Sequence, residues 1–479
     1  MAVITLGVDV GTTSTKCLAV REDGQIVASA QRAYTLTHGP DGRAEQDAHD
    51  FQQAVAATIS ECVAGVVSAG ETRGSVRALA MSTQGDTLIP CDASGAPVAP
   101  AMSWMDTRSA AQHRSLLDER GAAFWFRETG QTLGPYSSAC KLRWLAENAP
   151  DVWARIQRVC YVPDFLAAWL TGRFVTDMPS ASWSPFLNPG TRAWSPDAMA
   201  AVGVARELLP EAVESGTPIG EVLPAIADEL GLSQGVTLVA GAFDQAAAAT
   251  GAGAALEGVG VLSCGTAWVL YAVAASAAAD TAGLIPACCH TRADQWGLVL
   301  PFPGGGVYDW YCRELGAREG DYPVSGEPPV FVPHLYGGLA PDFRAESRGS
   351  LVGLTMAHTA EDVRLAVMRG IACEARRNVE AAEGIAGAMP GLRMVGGAGR
   401  SDVWPQMLAD LLARPVTVAG CVEAACLCAA SLAAGDPALP QRANGGDREY
   451  VPSTDGVARE QALYERYLTC YEKLLRLYT

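Results

Sequence analysis

No apolar stretch in this sequence reaches the roughly 18 uncharged residues that a helix needs to cross a bilayer. A membrane partner is therefore not expected. Positive charge is also short. The 35 Lys and Arg residues stand against 52 Asp and Glu, for a net charge of -17. A nucleic-acid backbone would be repelled, which argues against that partner class. A small phosphate ligand is not excluded, because it answers to local groups. Histidine is scarce, and His38, His49, His113, His290, His334 and His358 lie too far apart to suggest a metal cluster. Cysteine is present at 14 residues but lacks a metal-binding spacing. Its tightest group, Cys421, Cys426 and Cys428, fits no zinc pattern and predicts buried, reduced thiols. No basic stretch precedes Asp9, so no secretory leader is expected and the cytosol is the expected setting.

What remains is an ordinary globular composition, 49% hydrophobic and 18% charged, over 479 residues. That length suggests two or three domains. The chain opens with an apolar strand, a polar turn and a second strand, "VITLGVDVGTTSTKCLAV". Asp23-Gly24 then marks a hairpin into "GQIVASAQRAY". A helical period follows over "DFQQAVAATISECVAGVVSAG", and "VRALAMSTQG" returns as a strand. The same grammar recurs at "GVGVLSCGTAWVLYAV". Strands at "AGLIPACC" and "WGLVLPF", a long helix at "EDVRLAVMRGIACEARRNVEAAEG", and strand, glycine turn, helix and strand over "LRMVGGAGRSDVWPQMLADLLARPVTVAG" follow it. Duplication of an α/β domain is the simplest account. Two such domains with facing turns would form a cleft whose glycine-rich turns can cradle an anion.

Four segments, "GVDVGTTSTK", "VAGAFDQAAAATGAG", "LSCGTAW" and "MVGGAGRSDVWPQMLADLL", occur in the order and spacing of the FGGY carbohydrate kinases. The resemblance covers nearly the whole chain. It implies an α/β fold of two actin-like, ribonuclease-H-like domains with an interdomain cleft, residues 1–246 and 247–479. It also implies a kinase that uses ATP and Mg²⁺ and phosphorylates a small sugar or polyol. A homodimer is left open.

By the same resemblance, Asp9 would hold the metal, and Gly11, Thr12, Thr13 and Lys16 would approach the phosphates. Taken alone, Asp9 is equally well a turn-forming side chain. Asp244, at the end of an apolar strand, would be the general base toward the accepting hydroxyl, and it can cap the following helix as well. Gln245 would hydrogen-bond substrate. Gly265 and Thr266 match a second phosphate contact. Gly397, Ala398 and Ser401 lie in the segment that resembles the adenosine motif, with Ser401 or Asp402 available to cap the next helix. Its glycine spacing is not that of a Rossmann turn. Gly305 either borders the nucleotide or sits in a plain loop.

The acceptor side is expected from Gln84, Asp86, Trp104 and Asp106. Polyols suit carboxylates and amides that reach neighbouring hydroxyls, with an aromatic face for the C–H edge, although Trp104 could equally be core. Within the family, xylulose and gluconate kinases resemble Gln-Met-His at residues 84–86 and glycerol kinases Gln-Arg-Glu, where this chain has Gln84-Gly85-Asp86. The Gln-Gly-Asp sequence resembles instead the branch of the family that acts on erythritol and related sugar alcohols, and the nearby Gln-Gly-Lys type of L-xylulose kinases, which implies an erythritol-like polyol or a short ketose ahead of xylulose, gluconate or glycerol. An acidic Asp86 suits a neutral acceptor. The competing class is a catalytically silent actin-like sensor, which needs neither Asp244 nor the Trp104-x-Asp106-x-Arg108 pattern. A chaperone ATPase would add a peptide-binding domain, and after residue 430 only loops and a final helix are expected.

Overall fold

In a computed structural model, which describes residues 2–253, 259–277, 283–315, 327–420, 423–443 and 445–478, the opening grammar folds as read. Strands β1 (Ile4–Val10), β2 (Ser14–Arg21) and β3 (Ile26–Ala33) precede helix α1 (Ala48–Ser68) and strand β4 (Val76–Thr83). Helices α2 (Ser138–Asn148) and α3 (Met178–Trp183) come next, followed by strands β5 (Pro218–Glu221) and β6 (Thr237–Phe243). The sheet order is β5-β6-β4-β1-β2-β3. β1 pairs antiparallel with β2 and parallel with β4, and β6 runs parallel to β4. The carboxyl ends of β1, β4 and β6 therefore come together. In open α/β sheets that edge is where ligands bind.

Both faces of β1 are covered, and its residues alternate to match: Ile4, Leu6, Val8 and Val10 project to one face, and the smaller Thr5 and Gly7 to the other. On one side Ile4, Leu6 and Val8 share a core with Phe51, Val55 and Ile59 of α1. On the other lies a helix that sequence periodicity misses, since "AACLCAASLAA" is apolar all round. Its small residues let it approach closely. The Thr5 hydroxyl donates to the Ala430 carbonyl at 3.1 Å, and a Cβ on Gly7 would lie 1.9 Å from the Cys426 carbonyl oxygen. Only glycine fits there.

The second sheet repeats the first. Besides an edge strand at Ala287–Cys289, its strands are β7 (Val259–Cys264), β8 (Ala267–Ala274), β9 (Trp296–Pro303), β10 (Gly391–Gly396), β11 (Val416–Val418) and β12 (Arg448–Tyr450). They run in the order β9-β8-β7-β10-β11-β12. β7 is antiparallel to β8 and parallel to β10, and β10 is parallel to β11. Both the order and these directions match β3-β2-β1-β4-β6, so the repeated grammar is a repeated fold. Helices α4 (Asp244–Gly251), α5 (Gly305–Glu314), α6 (Ala360–Ala386), α7 (Val403–Leu412), α8 (Ala424–Ala434) and α9 (Thr454–Leu475) complete the elements used below.

The compact units interleave along the chain, where the sequence reading draws one boundary at 246/247. One unit holds Met1–Ala255, Ala275–Gly297 and Glu423–Gly445; the other holds Leu256–Ala274, Leu298–Val422 and Gly446–Thr479. The physical reason lies in α4 and α8. Gly251 leaves no room for a Cβ against the Ala424 carbonyl, and Cys428 packs with Ala242 and Ala247. Both helices thus belong with the first sheet. The thirteen described cysteines are free thiols, as expected, and Cys421 lies outside the described residues. No helix among the described residues is long and apolar enough to cross a membrane.

Candidate active site

The ends of β1, β4 and β6 assemble a polar site on an apolar sheet. Asp9 pairs in register with Lys16 on one side and Ser82 on the other. Ser82 Oγ donates to Asp9 Oδ1 at 2.8 Å. Burial nevertheless pushes the Asp9 carboxyl up to about 6, against the Ser82 hydrogen bond and the charge of Lys16. Lys16 Nζ donates to Glu423 at 2.7 Å. Burial alone would lower its pKa, but the hydrogen bond and charge of Glu423, with the charge of Asp9, hold it above its ordinary value. The lysine is thus engaged by a carboxylate at the start of α8, a partner more than 400 residues distant that no local pattern announces.

The turn itself is pinned from three sides. The Gly11 carbonyl accepts from the Tyr34 hydroxyl at 2.5 Å and from Gln84 Nε2 at 3.3 Å. The Thr12 carbonyl accepts from Gln46 Nε2 at 2.8 Å, and Thr13, exposed, accepts through its carbonyl from the Tyr34 amide. Trp104 is 44% exposed, so it is not core. Its indole N–H donates to Thr12 Oγ1 at 2.8 Å, and its amide donates to Thr87 Oγ1, which in turn donates to Gln84 Oε1. Gln84 and Trp104 therefore tie the expected acceptor segment to the first turn.

Asp244 is the first residue of α4, directly after β6. Its Oδ1 is buried and has no hydrogen-bond partner in the protein. Burial, then the negative charge of Asp9, pushes its carboxyl up to about 7. Gln245, half-buried, is the next residue of the helix. Asp86 resembles Asp244 in this respect. Its Oδ2 accepts the Ser138 amide at 3.1 Å at the start of α2, while its Oδ1 is buried without a partner. Burial raises it to about 6, opposed mainly by the charge of Lys141. Lys141 is fully buried, and its Nζ donates to the Asp86 carbonyl at 3.0 Å. Asp86 also sits at φ +51°, a left-handed conformation that aspartate tolerates better than most residues.

Asp106 is placed differently from the other acceptor candidates. Its carboxylate accepts from Arg108 Nε at 3.0 Å on each oxygen and from the Ala44 amide at 2.9 Å. Arg108 reaches on to Glu45 at 2.6 Å and stacks over Trp144. With its oxygens satisfied, Asp106 holds the Trp104 loop in shape.

In the second unit, Gly265 and Thr266 are exposed at the turn between β7 and β8. Their carbonyls accept the Gly305 and Gly306 amides at 3.1 and 2.8 Å. Gly305 is thus the first residue of a helix, not a plain loop, and its N–H is already spent on the turn. A Cβ on Gly305 would lie 2.5 Å from the Gly265 carbonyl oxygen. Gly397 is exposed with nothing within 4 Å of an added Cβ. The Ala398 carbonyl accepts the Ser401 amide, and Ser401 Oγ accepts at 3.2 Å the amide of Val403, the first residue of α7, while the N-cap position is Asp402, whose side chain makes no capping hydrogen bond.

Tyr34, Gln46, Ser82, Lys141 and Glu423 are the contributors missed from sequence. Only Ser82 had a readable signal, since it lies at the carboxyl end of the strand parallel to β1, one residue before its last.

This duplicated sheet, with carboxylates at its strand ends, is the actin-like, ribonuclease-H-like α/β fold of sugar kinases. Models of the FGGY family of carbohydrate kinases match the chain in two parts, the N-terminal domain over residues 4–251 and the C-terminal domain over 248–435. The chain belongs to that family and is a carbohydrate kinase. It is 32% identical to a xylulose kinase of Streptomyces coelicolor over 475 residues, covering 97% of this chain and 95% of that one. It is also 32% identical to a glycerol kinase of Methylibium petroleiphilum over 458 residues, covering 89% of each. A solved structure described as a xyloylose kinase from Brucella ovis superposes with a TM-score of 0.90 at 27% identity, over 99% of this chain and 100% of that one.

Proposed function

We propose that the chain transfers the terminal phosphoryl group of ATP to a hydroxyl of a short polyol or ketose, with Asp244 as the general base. The observation that carries this reading is the unpartnered, buried Oδ1 of Asp244 on a carboxyl held at about 7. A base with a pKa near neutrality takes a proton from an acceptor hydroxyl efficiently as its bond to phosphorus forms. Asp86 offers a second buried, unpartnered oxygen that a neighbouring hydroxyl of the acceptor would satisfy. Gln84, Trp104 and Gln245 complete the acceptor side, and Asp106 acts through Arg108 and the loop.

Gly11, Thr12 and Thr13 are the proposed phosphate contacts of the first unit; in the second unit Gly265 and Thr266 are proposed for phosphate, and Gly397, Ala398 and Ser401 for adenosine. Lys16 would exchange part of its pairing with Glu423 for phosphate. A divalent cation fits Asp9, whose carboxylate gives one oxygen to Ser82. No three His, Cys, Asp or Glu side chains converge on one point among the described residues. Mg²⁺ would therefore be completed by phosphate oxygens and water, as is usual for this ion. When bound it neutralises charge on the transferring group.

A second reading, xylulose as acceptor, is favoured by the name of the Streptomyces relative, which spans nearly the whole chain. One experiment separates these readings. ATP consumption is measured with glycerol, erythritol, threitol, xylitol, ribitol, the pentuloses and gluconate. The highest kcat/KM is expected for a four-carbon polyol or a short ketose. D-xylulose as best substrate would favour the second reading, either it or gluconate as best substrate would contradict the role given to Asp86, and no turnover with any acceptor would favour the silent sensor.

A further inference from the structure

The residue at position 85 is glycine because another side chain occupies its space. Trp183, the last residue of α3, lays its indole over the Gly85 backbone. A Cβ at Gly85 would lie 2.2 Å from Trp183 Cδ1, 2.8 Å from its Nε1 and 2.7 Å from Phe243 Cε2. The indole is stacked on the Phe243 ring, with centroids 4.6 Å apart and planes 15° from parallel. Phe243 immediately precedes Asp244, and Gly85 lies between Gln84 and Asp86. One aromatic pair therefore touches both segments that carry the candidate base and the candidate acceptor carboxylate.

The helix that carries Trp183 is anchored at both ends. Asp177 caps α3, with Oδ1 accepting the Ser180 amide at 2.7 Å and Oδ2 its hydroxyl at 2.9 Å. Ser182 Oγ accepts the Cys289 amide at 2.8 Å. The indole is only half-buried, unlike the buried Phe243 beneath it. A rigid ring with a partly open edge, set where a side chain from position 85 would otherwise project, is a wall and not a filler of the core.

We propose that Trp183 is the specificity-determining residue of the acceptor site: seated over Gly85 and against Phe243, its indole limits the length of the sugar or polyol that can reach Asp244. This rests on the assignment of the acceptor site given above. The sequence at 84–86 and the indole then form one unit, a small residue exchanged for a large one that arrives from another element.

The test is the acceptor ranking of wild type, Trp183→Ala, Gly85→Ala and the double variant, using glycerol, erythritol, xylitol and sorbitol with D-xylulose and D-fructose. Wild type is expected to favour short acceptors. Trp183→Ala should lower the KM of the six-carbon acceptors at least tenfold relative to the four-carbon one, with the KM for ATP unchanged. Gly85→Ala should lose activity by crowding both the indole and the Phe243 edge, and the double variant, in which only the Phe243 contact remains, should recover part of it. Trp183→Leu, which keeps an apolar group on Phe243, should shift the ranking the same way and serves if the alanine variant does not fold. An unchanged ranking in folded Trp183 variants would overturn the proposal. Wild-type turnover and its loss in Asp244→Asn are measured alongside, so that failure of the site assignment itself is seen separately.

Discussion

Replacing Gly7 with alanine should loosen the helix that backs the active-site strand, and the size of the effect follows from the packing. An added Cβ would lie 1.9 Å from the Cys426 carbonyl oxygen and 2.7 Å from the Ala430 amide nitrogen. Comfortable contact needs about 3.5 Å, so α8 would have to retreat by about 1.5 Å. The obstacle is helix backbone, which cannot rotate away as a side chain tip can. Overpacking of this kind costs about 1–3 kcal/mol, and the backbone clash places Gly7→Ala near about 3 kcal/mol. The same chemical change at Gly384 gives the control. Gly384 is exposed within α6, and an added Cβ meets nothing within 4 Å. There alanine should stabilise by about 0.5–1 kcal/mol, because glycine loses more backbone entropy in a helix. Urea unfolding of the two variants, with midpoints and slopes fitted for each transition, reads both signs. Turnover should fall in Gly7→Ala as well, since Asp9 is two residues away and Glu423 leads α8. A Gly7→Ala protein within about 0.5 kcal/mol of wild type, the range of an ordinary surface change, would refute the packing argument.

Asp177 should give a pH signature. Burial pushes its carboxyl up to about 6 despite the Ser180 donors. A raised pKa means that its stabilising protonation is fully present below about pH 4 and is lost as the pH rises through 6, a change of about 3 kcal/mol. The stability difference between wild type and Asp177→Asn should therefore fall by that amount between about pH 4 and 7, and a difference independent of pH would contradict this. Arg108→Lys should break the fork that joins Asp106 to Glu45, because an ammonium cannot reproduce it. The Trp104 loop would loosen, and steady-state kinetics should show the acceptor KM raised about tenfold, a loss of about 1.4 kcal/mol, with kcat nearly unchanged.

Much of this architecture is legible because local patterns carry it. The strand, turn and strand around Asp9, its echo at Gly265-Thr266, and α1 and α6 all follow from apolar periodicity and turn chemistry. The elements that escape are those set by distant packing. α8 shows no amphipathic contrast because the sheet and α4 bury most of it. The pairing of Lys16 with Glu423 crosses almost the whole chain. Asp106 reads as a substrate carboxylate until Arg108 and the Ala44 amide are seen to occupy it. Gly85 reads as a missing side chain, whereas the structure supplies Trp183 in its place. The motif fixes which chemistry is at hand, while long-range contacts decide which of its polar atoms remain open.

The most direct test of the central claim is turnover by Asp244→Asn with the best acceptor. The substitution keeps the shape of the side chain and removes its ability to take a proton. The account predicts a fall in kcat of about 10²–10⁴-fold, the usual contribution of a positioned base. ATP affinity, measured by calorimetry, should be retained. An Asp244→Asn enzyme that still phosphorylates its acceptor within about tenfold of wild type, well short of that contribution, would contradict it.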